Sequence, residues 1–383
     1  MKGDVLMTGP LTLHKSHLNL GDWLVLLWAD IAARAAWAAG RGTRLWIPLD
    51  GVGPKVTHLS QSKIAGHRDA LLVELGKAGL GTETDFGVVD KPRADALCED
   101  LFKTLFELGV LDTTSASNLQ RCAQHGLFPQ NATLDQSDRR QQKQLGRCPV
   151  CKAPTQTAHG RVLALNADAL AAARAAVPAH WDSKVLDLQE LALSSMRILP
   201  LATSDSATGD TWQLCSGVGL AAAHLRQLAD NPGPAHWLGC PKNGATLLVY
   251  VRLLGHLVLG RDAFQSVVTS ASCRSESGNK LPEDLPDTMI AAHGLRAFRL
   301  GLATHWSVRT GGQWNPAHIQ TANDALARGI GTAQPDQSIW ADLGQYRNDA
   351  LADMVQHLDG SVSAQTVFEL IAPRSTTHEV HGR

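Results

Sequence analysis

Val5-Leu6-Met7-Thr8-Gly9-Pro10-Leu11-Thr12-Leu13-His14-Lys15-Ser16-His17 is the stretch that decides the fold. Its first four residues read as a short apolar strand, and Gly9-Pro10 breaks it. A long apolar helix is expected to follow, opened by the segment that ends at His17 and closed at Gly40, with Gly42 just beyond. Leu45 to Leu49 reads as a second strand, closed by Asp50-Gly51-Val52-Gly53. Helix-like sequence from Gln61 to Ala78 leads to a third strand, Phe86 to Val89. Strands that alternate with helices predict a parallel sheet covered by helices on both faces. Ligands on such sheets sit beyond the carboxyl ends of the strands, where Thr8-Gly9-Pro10 and Leu49-Asp50-Gly51 fall.

The chain has 383 residues, enough for a sizeable core and two or three structural units. Hydrophobic residues make up 44%, a globular rather than a disordered composition. A formal net charge of −1 supplies no global basic field for non-specific nucleic-acid binding. The apolar run from Asp22 to Gly40 is interrupted by Asp22, Asp30 and Arg34, so it reads as a buried helix and no membrane span is expected. No signal peptide is evident, and a cytoplasmic location is the expectation. In that setting seven cysteines point to thiols and metal ligands rather than disulfides.

From Asn118 to about Gly160 the composition shifts toward Gln, Arg and Asp, as in an inserted module. Cys122-Ala123-Gln124-His125 and Cys148-Pro149-Val150-Cys151 lie in it. Two residues between ligands let a tight turn aim both at one ion, and two such pairs complete a tetrahedral Cys₃His shell. Thiolate and imidazole favour zinc, and a shell with no open position predicts a structural site that helps fold the module. Cys98, Cys215, Cys240 and Cys273 read as core or pocket thiols. Beyond the insert the α/β pattern resumes: His236-Trp237-Leu238-Gly239 ends one strand, and Gln265 to Thr269 forms another. Pro282 and Pro286 then mark the start of an Ala-rich helical region.

His14 and His17 can both point at one ligand near a helix N-terminus, where the dipole and free N–H groups favour phosphate. This segment resembles the His-x-Gly-His signature of class I aminoacyl-tRNA synthetases, in its usual place after the first strand. Leu49-Asp50-Gly51-Val52-Gly53 resembles that family's Asp-x-His-Gly segment. The Cys/His pairs sit where methionyl enzymes carry a zinc knuckle. Gln213-Leu214-Cys215-Ser216-Gly217-Val218-Gly219 resembles their Trp-Leu-Asp-Ala-Pro-Ile-Gly stretch, and His236 to Gly239 their His-Phe-Ile-Gly. Cys273-Arg274-Ser275-Glu276-Ser277-Gly278-Asn279 occupies the position of the Lys-Met-Ser-Lys-Ser loop. The shared order of these motifs covers residues 5 to 305.

The resemblance implies a Rossmann-like (HUP-type) fold in four parts. These are a first half over 1–117, the zinc module over 118–160, a second half over 161–272, and a C-terminal part over 273–383 holding the second loop and a helical region. It implies that Thr8, Gly9, Pro10, His14, His17, His236, Ser275, Ser277 and Asn279 surround a nucleotide. Asp50, Cys215 and His236 would contact the substrate, and Arg274 and Lys280 would join His14 and His17 in catalysis. ATP with Mg²⁺ and an amino acid or amino-acid-like carboxylate are the implied ligands.

Four departures bear on the activity. The family's two second-loop lysines are replaced by Cys273 and Glu276, Ser16 replaces a Gly, Val52 a His, and Cys215 an Asp. The sequence also runs only about 100 residues past the second loop, short of a helical anticodon-binding bundle. The expected activity is therefore adenylate formation with acyl transfer to a small nucleophile or carrier, as in specialised metabolism. Methionyl-type aminoacylation of tRNA and a non-catalytic, partner-binding role are the alternatives.

Overall fold

The computed structural model describes residues 3–38, 42–52, 56, 59–81, 84–123, 126–129, 146–147, 153–175, 202–204, 212–214, 216–239, 241–269, 273–275, 281–282, 284–305 and 312–327. Its centre is a parallel sheet in the order β11-β10-β1-β3-β4: Ser266–Thr269, Ala235–Gly239, Val5–Thr8, Arg44–Asp50 and Thr84–Val89. A two-residue strand, β2 (Leu11–Thr12), continues the lane of β1 and pairs with Leu49 and Asp50 of β3. From β1 the chain builds β3 and β4 to one side, then returns to add β10 and β11 on the other. The strand order therefore reverses between β1 and β10, the place where open α/β sheets take ligands beyond the carboxyl ends of their strands.

Side-chain alternation along the strands makes two cores. Leu6, Leu45, Ile47, Leu49 and Leu238 face the layer of α1 (Leu20–Ala38), α2 (Gln61–Lys77), α7 (Leu285–His305) and α8 (Ala317–Ala327). Val5, Met7, Trp46 and Trp237 face α3 (Lys91–Glu107), α5 (Ser216–Asp230) and α6 (Pro241–Leu259). Strands buried on both sides need near-continuous apolar sequence, which is why β1 and β3 stand out in the chain. Ser60 caps α2 through Lys63 N–H, and Asp90 caps α3 through Arg93 N–H, with Pro92 in the first turn.

The expected first helix begins later than its sequence suggests. Asn19 Oδ1 accepts from Asp22 N–H, and Asp22 Oδ2 accepts from Asn19 N–H, both at 3.0 Å. This reciprocal box fixes the first helical residue at Leu20. His14 and His17 lie in the loop before it, so they do not open the helix. Lys15 Nζ also bonds Asp22 Oδ2, so the helix N-terminus already holds its own carboxylate.

Two of the charged residues that interrupt α1, Asp30 and Arg34, are buried and paired. Asp30 accepts from Arg34 Nε at 3.0 Å, from Gly81 N–H at 2.8 Å and from Arg299 Nη2 at 2.5 Å. Arg299 Nη1 donates to Ala78 O, and Arg34 Nη2 to Gly79 O. One carboxylate thus joins α1, the loop after α2, and α7. Within α7, Gly294 takes φ 80° and ψ 156° and kinks the helix. Past the kink, Gly301 is where α8 crosses: a Cβ there would lie 2.6 Å from Ile319 Cδ1.

A second, antiparallel sheet surrounds the segment 118–160. β5 (Leu111–Cys122) pairs antiparallel with β6 (Gly126–Pro129) and β7 (Gln156–Leu165). The sheet continues through β8 (Ala202–Ser204) to β9 (Trp212–Leu214), with α4 (Ala167–Ala175) after β7. Both expected boundaries fall inside strands, and the hydrogen-bonded unit spans Leu111 to Leu214. Short β12 (Cys273–Arg274) and β13 (Gly312–Gln313) pair in parallel beside the last helices. Among the described residues, no helix is long and apolar enough to cross a membrane.

Candidate functional site

The carboxyl ends of β1 and β3 carry Thr8 and Asp50. Thr8 is fully buried at the last position of β1, and its Oγ1 has no hydrogen-bond partner among the described residues. Gly9 N–H extends the ladder to Leu238 O at 3.2 Å. Asp50 ends β3, buried, with Oδ1 accepting from Val52 N–H at 2.9 Å. Its carbonyl accepts from Leu13 N–H, and Gly51 N–H reaches Val89 O, both at 2.9 Å. A Cβ on Gly51 would come within 3.0 Å of that same oxygen, so the turn needs the close backbone approach only glycine gives. The Leu13 bond ties the start of the histidine loop to the strand that carries Asp50.

The loop's other end meets α2. Glu74 Oε2 accepts Leu18 N–H at 2.7 Å. Burial pushes the Glu74 carboxyl upward and Asp287 adds to this, while the Leu18 amide, His17 and Lys77 oppose it. The Leu18 bond sets the end of the histidine loop, the residue after His17, against Glu74 of α2. The second loop approaches the same layer: Cys273, Leu281 and Leu285 pack on the core cluster that contains Leu13 and Leu18. Ser275 is half-buried next to β12.

Beneath the carboxyl end of β1 is a residue that sequence reading passed over. His224 of α5 is fully buried, with its ring centroid 4.7 Å from that of Trp46 and 5.4 Å from that of Trp237. Its Nδ1–H donates to Leu220 O at 2.7 Å. Nε2 is buried with no hydrogen-bond partner among the described residues. Burial pushes its pKa down to about 4, against opposing contacts with the Leu220 and Thr8 backbone. The folded imidazole is neutral above that value, whereas the unfolded one takes a proton below about 6.5. Stability is full above pH 6.5 and falls as pH drops toward 4, by about 3 kcal/mol from this group. Urea unfolding at pH 7 and pH 4.5 should show that loss, and His224→Gln should reduce it; an unchanged pH dependence in the variant would remove His224 as its source.

No protein-family model and no curated protein sequence matches the chain. Solved structures do match it. The methionyl-tRNA synthetase of Mycobacterium tuberculosis bound by methionyl-adenylate aligns over 86% of this chain and 70% of that one, with TM-score 0.62 and 13% identity. A second structure of that enzyme in complex with methionyl-adenylate aligns over 89% and 72%, with TM-score 0.62 and 14% identity. A LeuRS of Agrobacterium radiobacter K84, in a ternary complex with tRNA and LeuAMS, aligns over 97% and 82%, with TM-score 0.65 and 10% identity. The fold is that of the class I aminoacyl-tRNA synthetases.

In this synthetase-like fold His236 is placed at the amino-terminal part of β10, two registers below Leu238, the partner of Thr8. Its Nδ1 lies 2.8 Å from Ser266 Oγ, at the start of β11, and Nε2 lies 3.8 Å from Asp4 Oδ2, just before β1. It is therefore not grouped with Thr8 and Asp50 at the carboxyl edge. Trp237, the next residue of β10, is enclosed in the core against His224 and Phe264. Cys98 is a buried core thiol of α3. Cys215, Glu276, Ser277, Asn279 and Lys280 lie outside the described residues, as does the side chain of Arg274.

At the zinc-knuckle sequence, Cys122 is the buried last residue of β5 and pairs with Gly126, closing the loop that contains His125. Arg147 bridges Pro154, and Thr155 N–H donates to Gly146 O at 2.7 Å, closing the loop that contains Cys148 and Cys151. Thr155 Oγ1 donates to Gln120 Oε1, and Arg121 pairs with Gln156, so both loops leave the same end of the β5–β7 pair. His125, Cys148 and Cys151 lie outside the described residues, and among the described residues no cluster of three metal-ligating side chains occurs.

Proposed function

We propose that the chain is an ATP-dependent, amino-acid-activating ligase. The carboxylate of an amino acid or amino-acid-like substrate attacks the α-phosphorus of ATP. A mixed carboxylic–phosphoric anhydride forms through a new bond from the carboxylate oxygen to that phosphorus, the bond from the phosphorus to the α,β-bridging oxygen breaks, and pyrophosphate leaves with the electron pair. A small nucleophile or carrier then attacks the acyl carbon and AMP departs.

The observation that carries this reading is the β1/β10 switch point, where the buried Thr8 Oγ1 lacks a partner among the described residues. It belongs to a fold shared with enzymes solved with methionyl-adenylate. Thr8, Gly9 and Pro10 would line the nucleotide, and His14 and His17 would meet the developing phosphate charge. Asp50 would hold the substrate amine, with Cys215 nearby. Arg274 and Lys280 would neutralise pyrophosphate, with Mg²⁺ accompanying ATP, and Ser275, Ser277 and Asn279 would shape the second loop. Donors and cations aimed at charge that develops only in the transition state account for most catalysis of this kind.

ATP–pyrophosphate exchange across a panel of amino acids tests the reading. His14→Ala and His17→Ala should each slow it by about a hundredfold or more. No exchange with any acid, together with no ATP binding, would leave the non-catalytic role. Acylation of bulk tRNA would instead favour methionyl-type aminoacylation, which the tRNA-bound LeuRS neighbour keeps in view.

We also propose that Cys122, His125, Cys148 and Cys151 hold one structural Zn²⁺. The described residues that flank the two ligand pairs support this: Cys122 pairs with Gly126 and Arg147 bridges Pro154, both at one end of the β5–β7 pair. Elemental analysis should find one zinc per chain, lost in Cys148→Ser; a metal-free, stably folded chain would end the proposal.

A further inference from the structure

A loop without regular backbone bonds keeps its shape only through partners from elsewhere. The loop carrying His14 and His17 takes two of them from one helix. His67 Nδ1–H donates to the Leu13 carbonyl at 3.0 Å, and Glu74 Oε2 accepts Leu18 N–H at 2.7 Å. His67 and Glu74 are seven residues apart on α2, two turns along one face, and about 10 Å of axial rise separates them. Between their anchor points lie the two imidazoles. Leu71 and Leu75, on the buried side of α2, share a core cluster with Leu13 and Leu18, so the bracket and the loop rest on one support.

We propose that His67 and Glu74 are positioning residues: a two-point bracket on α2 that fixes where His14 and His17 meet the nucleotide. The proposal rests on the adenylate-forming reading. Neither residue touches the reacting atoms. Each removes freedom from the loop before ATP arrives, so that ordering is not charged against binding. Glu74 needs only an acceptor oxygen for its role, and glutamine supplies one.

The test uses the full chain with Glu74→Ala, Glu74→Gln and His67→Ala. Hydrogen exchange should speed up about tenfold in peptides spanning residues 13–18 for Glu74→Ala and His67→Ala, and stay near wild type elsewhere in the chain. Glu74→Gln should restore protection. In the pyrophosphate-exchange assay the two alanine variants should raise the KM for ATP about tenfold and leave the KM for the amino acid unchanged. Unaltered loop exchange in both alanine variants would overturn the bracket, and so would a loosened loop with an unchanged KM for ATP. Should Glu74→Ala not fold, His67→Ala and Glu74→Gln decide between these outcomes. If the wild-type chain neither binds ATP nor exchanges pyrophosphate, the adenylate reading falls and the positioning role toward ATP falls with it. The hydrogen-exchange arm would still settle whether α2 holds the loop.

Discussion

Asp30→Ala should cost the chain about 3–5 kcal/mol, the usual result of removing one partner from a buried ion pair. Two guanidinium groups, those of Arg34 and Arg299, would then be left inside the protein without their carboxylate. Gly81 N–H would lose its acceptor as well. The three side chains are 1%, 5% and 0% exposed, so water is poorly placed to compensate. Since whole domains are stable by about 5–15 kcal/mol, the variant should be partly unfolded near 37 °C. Urea denaturation at pH 7 measures the loss directly. A second variant separates pairing from packing: replacing Asp30, Arg34 and Arg299 together by apolar residues of similar volume should be far milder than the single change. A single variant within about 1 kcal/mol of wild type would show that the triad does not hold these elements together.

Glu276→Lys should speed ATP–pyrophosphate exchange by as much as about a thousandfold. The resemblance sets Glu276 where the family carries a loop lysine, so its carboxylate would face the pyrophosphate as it leaves. A unit charge at about 4 Å is worth about 4 kcal/mol at an effective dielectric near 20, and each 1.36 kcal/mol is about tenfold in rate. Glu276→Gln, which removes repulsion but adds no attraction, should give a smaller increase. Steady-state exchange at saturating ATP makes the comparison. If lysine at 276 leaves the rate unchanged with every amino acid that supports exchange, the alignment of this segment with the second loop is mistaken.

The central sheet was legible because strands covered on both faces must be apolar throughout. Val5–Thr8 needed no partner to be recognised, and the Gly9-Pro10 break marked the edge where Thr8 Oγ1 lies. The start of α1 was misread for a local reason. Leu18 and Leu20 continue the apolar run, while the true signal was the Asn19/Asp22 pair three residues apart. β5 carries Thr113, Thr114, Ser115 and Ser117 without clean alternation, and its partner β7 lies more than thirty residues on, so the extent of the inserted sheet could not be read locally. Asp30 and Arg34 looked like defects in an apolar helix because their third member, Arg299, is 269 residues away. His67 and Glu74 carried no sequence signal either: both read as the polar face of an ordinary helix until Leu13 and Leu18 were found against them. His236 was placed by its motif, but strand register, which sequence does not fix, set it beside Ser266 and Asp4.

The kink at Gly294 divides α7 into halves with different fates. Beyond it, Arg299 is clasped by Asp30 and Gly301 is wedged against α8, so that half cannot slide without dismantling the core. Ahead of it, Leu285, Met289 and Ile290 are only partly enclosed. Gly294 is therefore a joint between a half of α7 that the core encloses on all sides and a half that it covers only in part.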